Sequence, residues 1–100
     1  MPRLRVMFPK PSLFLVDARL TVLLDGGLIY DGSFKAGVDV AGEAAPGVHM
    51  LLTRIDADIA IRSREYRLEL DGAVPAYVAT LNYSRFWGNF TKRLALFPQR

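Results

Sequence analysis

Apolar and polar residues alternate with a period of two along most of this chain. The alternation is clearest from Leu20 to Leu24, from Val48 to Ile55 and from Ala76 to Tyr83. A period of two places successive side chains on opposite faces of a β-strand, whereas an amphipathic helix repeats every three to four residues. No stretch of the sequence follows the helical repeat, and the pattern therefore predicts an all-β chain.

Short turn sequences separate the alternating segments. Asp25-Gly26-Gly27 follows the first clear strand, Asp31-Gly32 and Pro46-Gly47 come next, and Asp71-Gly72 lies farther along. Asp and Gly tolerate the positive φ angles of tight hairpin turns. We therefore expect Asp25-Gly26-Gly27 to connect two antiparallel strands.

These turns divide residues 1–100 into seven or eight short strands of a single domain. The first predicted strand is an edge strand, Arg3 to Phe8, which is stopped by Pro9 and Pro11 because proline cannot donate to a ladder. The other predicted strands are Leu13 to Leu24, Leu28 to Tyr30, Ala36 to Ala41, Val48 to Ile55, Ile59 to Leu70 with a turn or bulge near Ser63, Ala76 to Tyr83 and Phe90 to Phe97. Their near-regular spacing is typical of an Ig-like antiparallel β-sandwich, with a partly open β-barrel as the alternative.

The order of turns also resembles that of a known module. Val22-Leu23-Leu24-Asp25-Gly26 is followed by Asp31-Gly32-Ser33-Phe34 and then by Pro46-Gly47-Val48-His49-Met50-Leu51. Over roughly residues 19–55 this is similar to the small PEGA-type β-sandwich modules of bacterial proteins. The resemblance implies a non-catalytic appendage domain of envelope or multidomain proteins. The extra Gly27 and the segment from Tyr83 to Phe90 depart from the PEGA pattern.

Composition narrows the class of protein. Half of the 100 residues are hydrophobic, which excludes an intrinsically disordered chain, and the length suffices for one core. There is no cysteine, so disulfides and thiolate metal sites are excluded, and a cytoplasmic location is weakly favoured. The apolar run from Ser12 to Leu24 contains Asp17 and Arg19, is too short to span a membrane and lacks the features of a signal peptide.

The charges are mixed in sign along the chain. Thirteen Lys and Arg stand against ten Asp and Glu, interleaved as in Arg62-Ser63-Arg64-Glu65-Tyr66-Arg67-Leu68-Glu69. Such alternation is typical of a solvated strand face with cross-strand ion pairs, whereas nucleic-acid binders concentrate their cations on one stripe. Nucleic-acid binding is therefore the least favoured binding function. The exception is a possible basic rim near the chain ends, formed by Arg3, Arg5, Lys92, Arg93 and Arg100.

An aromatic block near the C-terminus is the candidate binding or interface site. It comprises Tyr83, Arg85, Phe86, Trp87, Asn89 and Phe90. Tyr, Trp and Arg dominate interface hot spots because they offer large, rigid contact area. The same aromatics could instead plug one end of the sandwich, with Gly88-Asn89 forming a positive-φ corner. Both roles are open at this point.

No catalytic, metal or cofactor site is predicted. His49 is the only histidine, and no nucleophile or second base accompanies it, so we expect a half-buried side chain bonded to a backbone or carboxylate group. Asp56 and Asp58 provide too few oxygens for calcium. The chain is therefore expected to be non-enzymatic.

Several strands carry apolar residues on both faces. Leu23 neighbours Leu24, and Leu51 neighbours Leu52, although a sandwich has only one interior. The surplus predicts a second buried surface and hence an interaction or assembly module, self-associating as a homodimer or binding another protein. The alternatives are a sugar- or peptide-binding module that uses the aromatic block and, less favoured, a nucleic-acid binder.

Overall fold

Two four-stranded sheets and a short hairpin make up the part of the chain that the structure describes. This computed structural model describes residues 2–11, 17–57, 60–84 and 88–99. The strands are β1 (Arg3–Phe8), β2 (Arg19–Leu24), β3 (Gly27–Ser33), β4 (Val38–Glu43), β5 (Gly47–Ala57), β6 (Ala60–Leu70), β7 (Ala76–Thr80), β8 (Tyr83–Ser84), β9 (Asn89–Phe90) and β10 (Ala95–Gln99).

The first sheet has the strand order β10-β7-β1-β4. β1 is antiparallel to β4 and parallel to β7, and β10 is antiparallel to β7. The expected edge position of β1 is wrong, because β1 lies between two neighbours. Pro9 follows the last residue of the strand, Phe8, so it ends the ladder without removing a donor from it.

The second sheet has the strand order β3-β2-β5-β6, and all its pairs are antiparallel. The apolar inner faces of the two sheets form the core, whose buried members include Leu4, Val6, Leu20, Val22, Leu51, Ile55, Leu68 and Ala79. This confirms the predicted all-β antiparallel sandwich. Within the described ranges, no helix has the length and apolar character needed to cross a bilayer.

The turn between β2 and β3 has the predicted hairpin geometry. Asp25 and Gly26 have φ angles of +50° and +81°, and they alone separate the two strands. Positive φ at both central residues is typical of a type I′ turn, whose twist matches that of the flanking strands. The Asp25 side chain is thereby placed beside β5, where the backbone N–H of Met50 donates to its Oδ1 at 2.8 Å.

Two predictions for the C-terminal half of the chain are wrong. β6 pairs with β5 in one uninterrupted register, so there is no bulge at Ser63; the irregularity of this sheet lies between Val22 and Leu23 instead. The last two predicted strands are divided, because β7 ends at Thr80 and β8 begins at Tyr83, and because β9 ends at Phe90 and β10 begins at Ala95. The predicted strand residues 13–16 and 59 lie outside the described part of the chain.

Candidate functional site

The described aromatics of the predicted site pack into the end of the sandwich. Tyr83 and Phe90 are paired across β8 and β9. The Phe90 ring is 1% exposed and meets Phe8 edge-on, with ring centroids 5.0 Å apart. The Tyr83 ring lies 4.9 Å from that of Phe34. These two members of the block therefore contribute to the core.

Asn89 anchors the same hairpin to β6. Its Nδ2 donates to the carbonyl of Ser63 at 3.1 Å, and its Oδ1 accepts the backbone N–H of Phe90 at 2.8 Å. Gly88 precedes it with a φ of +67°, the positive-φ corner that the sequence predicts. Arg85, Phe86 and Trp87 lie outside the described residues, so a binding role for them stays a prediction.

His49 is held by hydrogen bonds at both ring nitrogens. Nδ1 lies 2.5 Å from Oδ2 of Asp25, and Nε2 lies 2.6 Å from the carbonyl oxygen of Ala45. Both partners accept, so the protonated imidazolium, which donates twice, fits the site best. The hydrogen bond to Asp25, followed by that to Ala45, raises the pKa of His49. The hydrogen bond from His49, followed by that from the backbone N–H of Met50, lowers the pKa of Asp25. The environment predicted for His49 is confirmed, and the arrangement is a structural link.

A row of leucines crosses the outer face of the second sheet. Leu23 on β2 pairs with Leu28 on β3 and with Leu52 on β5, so the three side chains lie side by side. Their neighbours in sequence, Val22 and Leu51, are buried, which directs the row away from the core. Leu28 is 59% exposed, and Leu23 and Leu52 are half-buried.

Two further apolar residues extend this row along β5. Val48 and Met50 alternate with the core residue Leu51 and are 52% and 41% exposed. Together Leu23, Leu28, Val48, Met50 and Leu52 form a surface that we name the outer apolar patch. Single exposed apolar residues are common on protein surfaces, whereas these five lie together on one sheet face.

Six charged residues near the outer apolar patch form three ion pairs. The same sheet face carries Arg19 with Asp31 at 2.5 Å, Arg54 with Asp56 at 3.2 Å and Arg67 with Glu69 at 3.0 Å. Each pair cancels its own charge, and Glu65, opposite Leu52 on the same face, adds a carboxylate that is in no ion pair among the described residues. Such exposed pairs add little to stability.

Sequence reasoning anticipated the surplus of apolar residues but not the face that carries it. Alternation indicates that Val48 and Met50 share one side of β5, yet it does not say which side is inward. Among the described residues, no group of three or more His, Asp or Glu is arranged to hold a metal ion.

No protein-family model, curated protein or solved structure matches the chain.

Proposed function

We propose that this protein is a non-enzymatic assembly module that self-associates through the outer apolar patch. The observation that carries the proposal is the exposure of Leu28, Val48 and Met50 on one flat sheet face. Burying a side chain of this size contributes about 1.5–3 kcal/mol. Several such side chains buried together supply enough free energy to hold two subunits.

The occupant that best fits the patch is a second copy of the same chain. The chain carries a net charge of +3, so two copies repel each other unless their contact surfaces are neutral. On the outer face the arginines are paired with carboxylates, and the remaining charge, Glu65, is opposite in sign to the net charge, so this face adds no positive charge to the contact. A two-fold axis brings the same patch of both subunits together, and a rim of mixed sign can then pair with itself.

The resemblance of residues 19–55 to PEGA-type modules agrees with this proposal, since it implies a non-catalytic appendage domain. It stays a prediction. A contact between the second sheets of two subunits would leave the ends of each sandwich available for other contacts. Assembly would then be the primary role of the module.

The test is the solution mass from light scattering after size exclusion, at low and at high salt. We expect a dimer at both salt concentrations, because salt does not weaken apolar burial. A monomer at high micromolar concentration would contradict the proposal. The outer apolar patch would then be available to bind a different protein.

Two variants locate the interface. Leu28→Thr and Val48→Thr retain β-propensity and remove apolar surface, so each should raise the dimer dissociation constant about tenfold, or about 1.4 kcal/mol. Phe97→Thr is the matched control, since Phe97 is 62% exposed but lies on β10 of the other sheet. Equal weakening in all three variants would show that the contact is not made by the patch.

A further inference from the structure

The inner face of β6 changes from apolar to cationic along the strand. Tyr66, Leu68 and Leu70 are buried in the core, and Arg64 and Arg62 continue the same side of the strand beyond them. Ile61 faces the opposite side and is exposed. The continuous register of β6 therefore places two guanidinium groups where the interior of the sandwich ends.

β9 and the residues that follow it border a groove over these arginines. Arg64 Nε donates to the carbonyl of Phe90 at 3.3 Å, and the hydroxyl of Tyr66 donates to the carbonyl of Thr91 at 2.6 Å. These contacts hold β9 and Thr91 alongside β6. The groove between them has a volume of about 800 Å³ and is lined by Arg62, Arg64, Ser84, Asn89, Phe90, Thr91 and Lys92.

The charge of this groove is of one sign. Arg62, Arg64 and Lys92 are its cations, and none of the described residues that line it is acidic. None of the three takes part in an ion pair among the described residues, whereas Arg5, Arg19, Arg54 and Arg67 are each paired with a carboxylate. A concave surface with three cations that are in no ion pair favours the binding of an anion.

The neutral polar groups of the groove are already used within the fold. Both ends of the Asn89 amide are hydrogen-bonded, and the Thr91 hydroxyl donates to the carbonyl of Arg93 at 2.8 Å. Phe90 is buried and offers no ring face for stacking. Recognition in the groove therefore depends on charge-assisted hydrogen bonds from the guanidinium and ammonium groups.

We propose that this groove binds a small ligand that carries at least two phosphate groups. Arg62 and Arg64 are two residues apart on one strand face, which separates their Cα atoms by about 6–7 Å and lets each contact a different phosphate. Guanidinium binds phosphate oxygens in a bidentate fork. The volume exceeds that of a single ion and lies within the range of small-molecule pockets.

A long nucleic acid fits the groove less well than a small polyphosphate. Single-strand binders track the backbone with an extended run of cations and stack bases on exposed aromatics. Here the described groove has three cations and a buried Phe90, and the neighbouring Arg67 is paired with Glu69 at 3.0 Å. The ligand class is accordingly a compact polyanion.

The test is calorimetric titration with inorganic tripolyphosphate, compared with sulfate. We expect tripolyphosphate to bind at least tenfold more tightly than sulfate, and Arg62→Gln and Arg64→Gln each to weaken it about tenfold. Arg67→Gln is the matched control, because it removes the same charge from the opposite face of β6 and should change the dissociation constant less than twofold. Arg62 makes no hydrogen bond that holds the fold together among the described contacts, so its variant tests binding even if Arg64→Gln unfolds.

Two results would overturn the proposal. One is equal weakening by Arg62→Gln and Arg67→Gln, which would indicate attraction by net charge alone. The other is an oligothymidylate that binds more tightly than tripolyphosphate and loses affinity with every arginine removed. That second result would assign an extended nucleic-acid surface instead.

Discussion

Asp25 and His49 join the first hairpin of the second sheet to the start of β5, through a contact of 2.5 Å between Oδ2 and Nδ1. The same carboxylate accepts the backbone N–H of Met50 at 2.8 Å. The turn, the histidine and the strand are therefore fixed together. Since Val48 and Met50 flank His49 on β5, this link also fixes one border of the outer apolar patch.

The stability of the fold should fall as pH rises through the raised pKa of His49. A histidine whose pKa is raised on folding contributes stability that is fully present below its unfolded value of about 6.5 and is lost above the folded value. Thermal unfolding of the wild type should therefore shift to lower temperature between pH 6 and pH 9. His49→Gln should show little of this dependence and cost about 1 kcal/mol at pH 6.

The titration can be followed directly, since the chain has a single histidine. Its ring proton resonances should titrate above 6.5 in the wild type and return toward that value in Asp25→Asn. A wild-type midpoint below 6.5 would contradict the imidazolium assignment. At the acidic end, the lowered pKa of Asp25 gives the opposite sign, with stability lost as pH falls through its folded value.

Gly37→Ala should strongly destabilise the fold. Gly37 has a φ of +74°, and an added Cβ would lie 2.5 Å from the carbonyl oxygen of Phe8. The expected loss is about 2 kcal/mol or more in urea unfolding, from backbone strain together with a main-chain clash. Gly42→Ala is the control, because a Cβ there meets nothing within 4 Å. Similar losses in the two variants would contradict this account of Gly37.

Phe90→Leu and Phe97→Leu should differ clearly in stability. Phe90 is 1% exposed among aromatic neighbours, and its replacement should cost about 1–2 kcal/mol from lost packing and ring contacts. Phe97 is largely exposed, so its replacement should change the free energy of unfolding by less than about 0.5 kcal/mol. A small effect at Phe90 would show that β8 and β9 are not part of the cooperative core.

The features that the sequence predicts well are local ones. The Asp25-Gly26 turn follows from the φ preferences of two adjacent residues, and the inward face of β2 follows from its alternation. The half-buried, hydrogen-bonded state of His49 follows from its place in an apolar strand that has no nucleophile or second base beside it. None of these depends on how distant strands are arranged.

The features that the sequence misses depend on distant partners. β1 pairs with β7, some seventy residues later, and no local pattern indicates that pairing. Alternation normally places apolar residues inward and charged residues outward. At the start of β6 the order is the opposite, because Ile61 is on the exposed face and Arg62 and Arg64 are on the inner face. Periodicity alone suggests a bulge there, whereas β6 keeps one register as an edge strand beside the buried Thr53 and Ile55 of β5. The cationic groove depends on this edge position and could not be predicted.

The central position of β1 has a consequence for the order of folding. β1 is made some seventy residues before its parallel neighbour β7, so one side of β1 stays unpaired until β7 has left the ribosome. The second sheet, in contrast, is closed by a tight hairpin and by neighbouring strands early in synthesis. Long-range pairing carries a larger loop-closure entropy and slows folding. The first sheet is therefore the later and slower half of the sandwich to form.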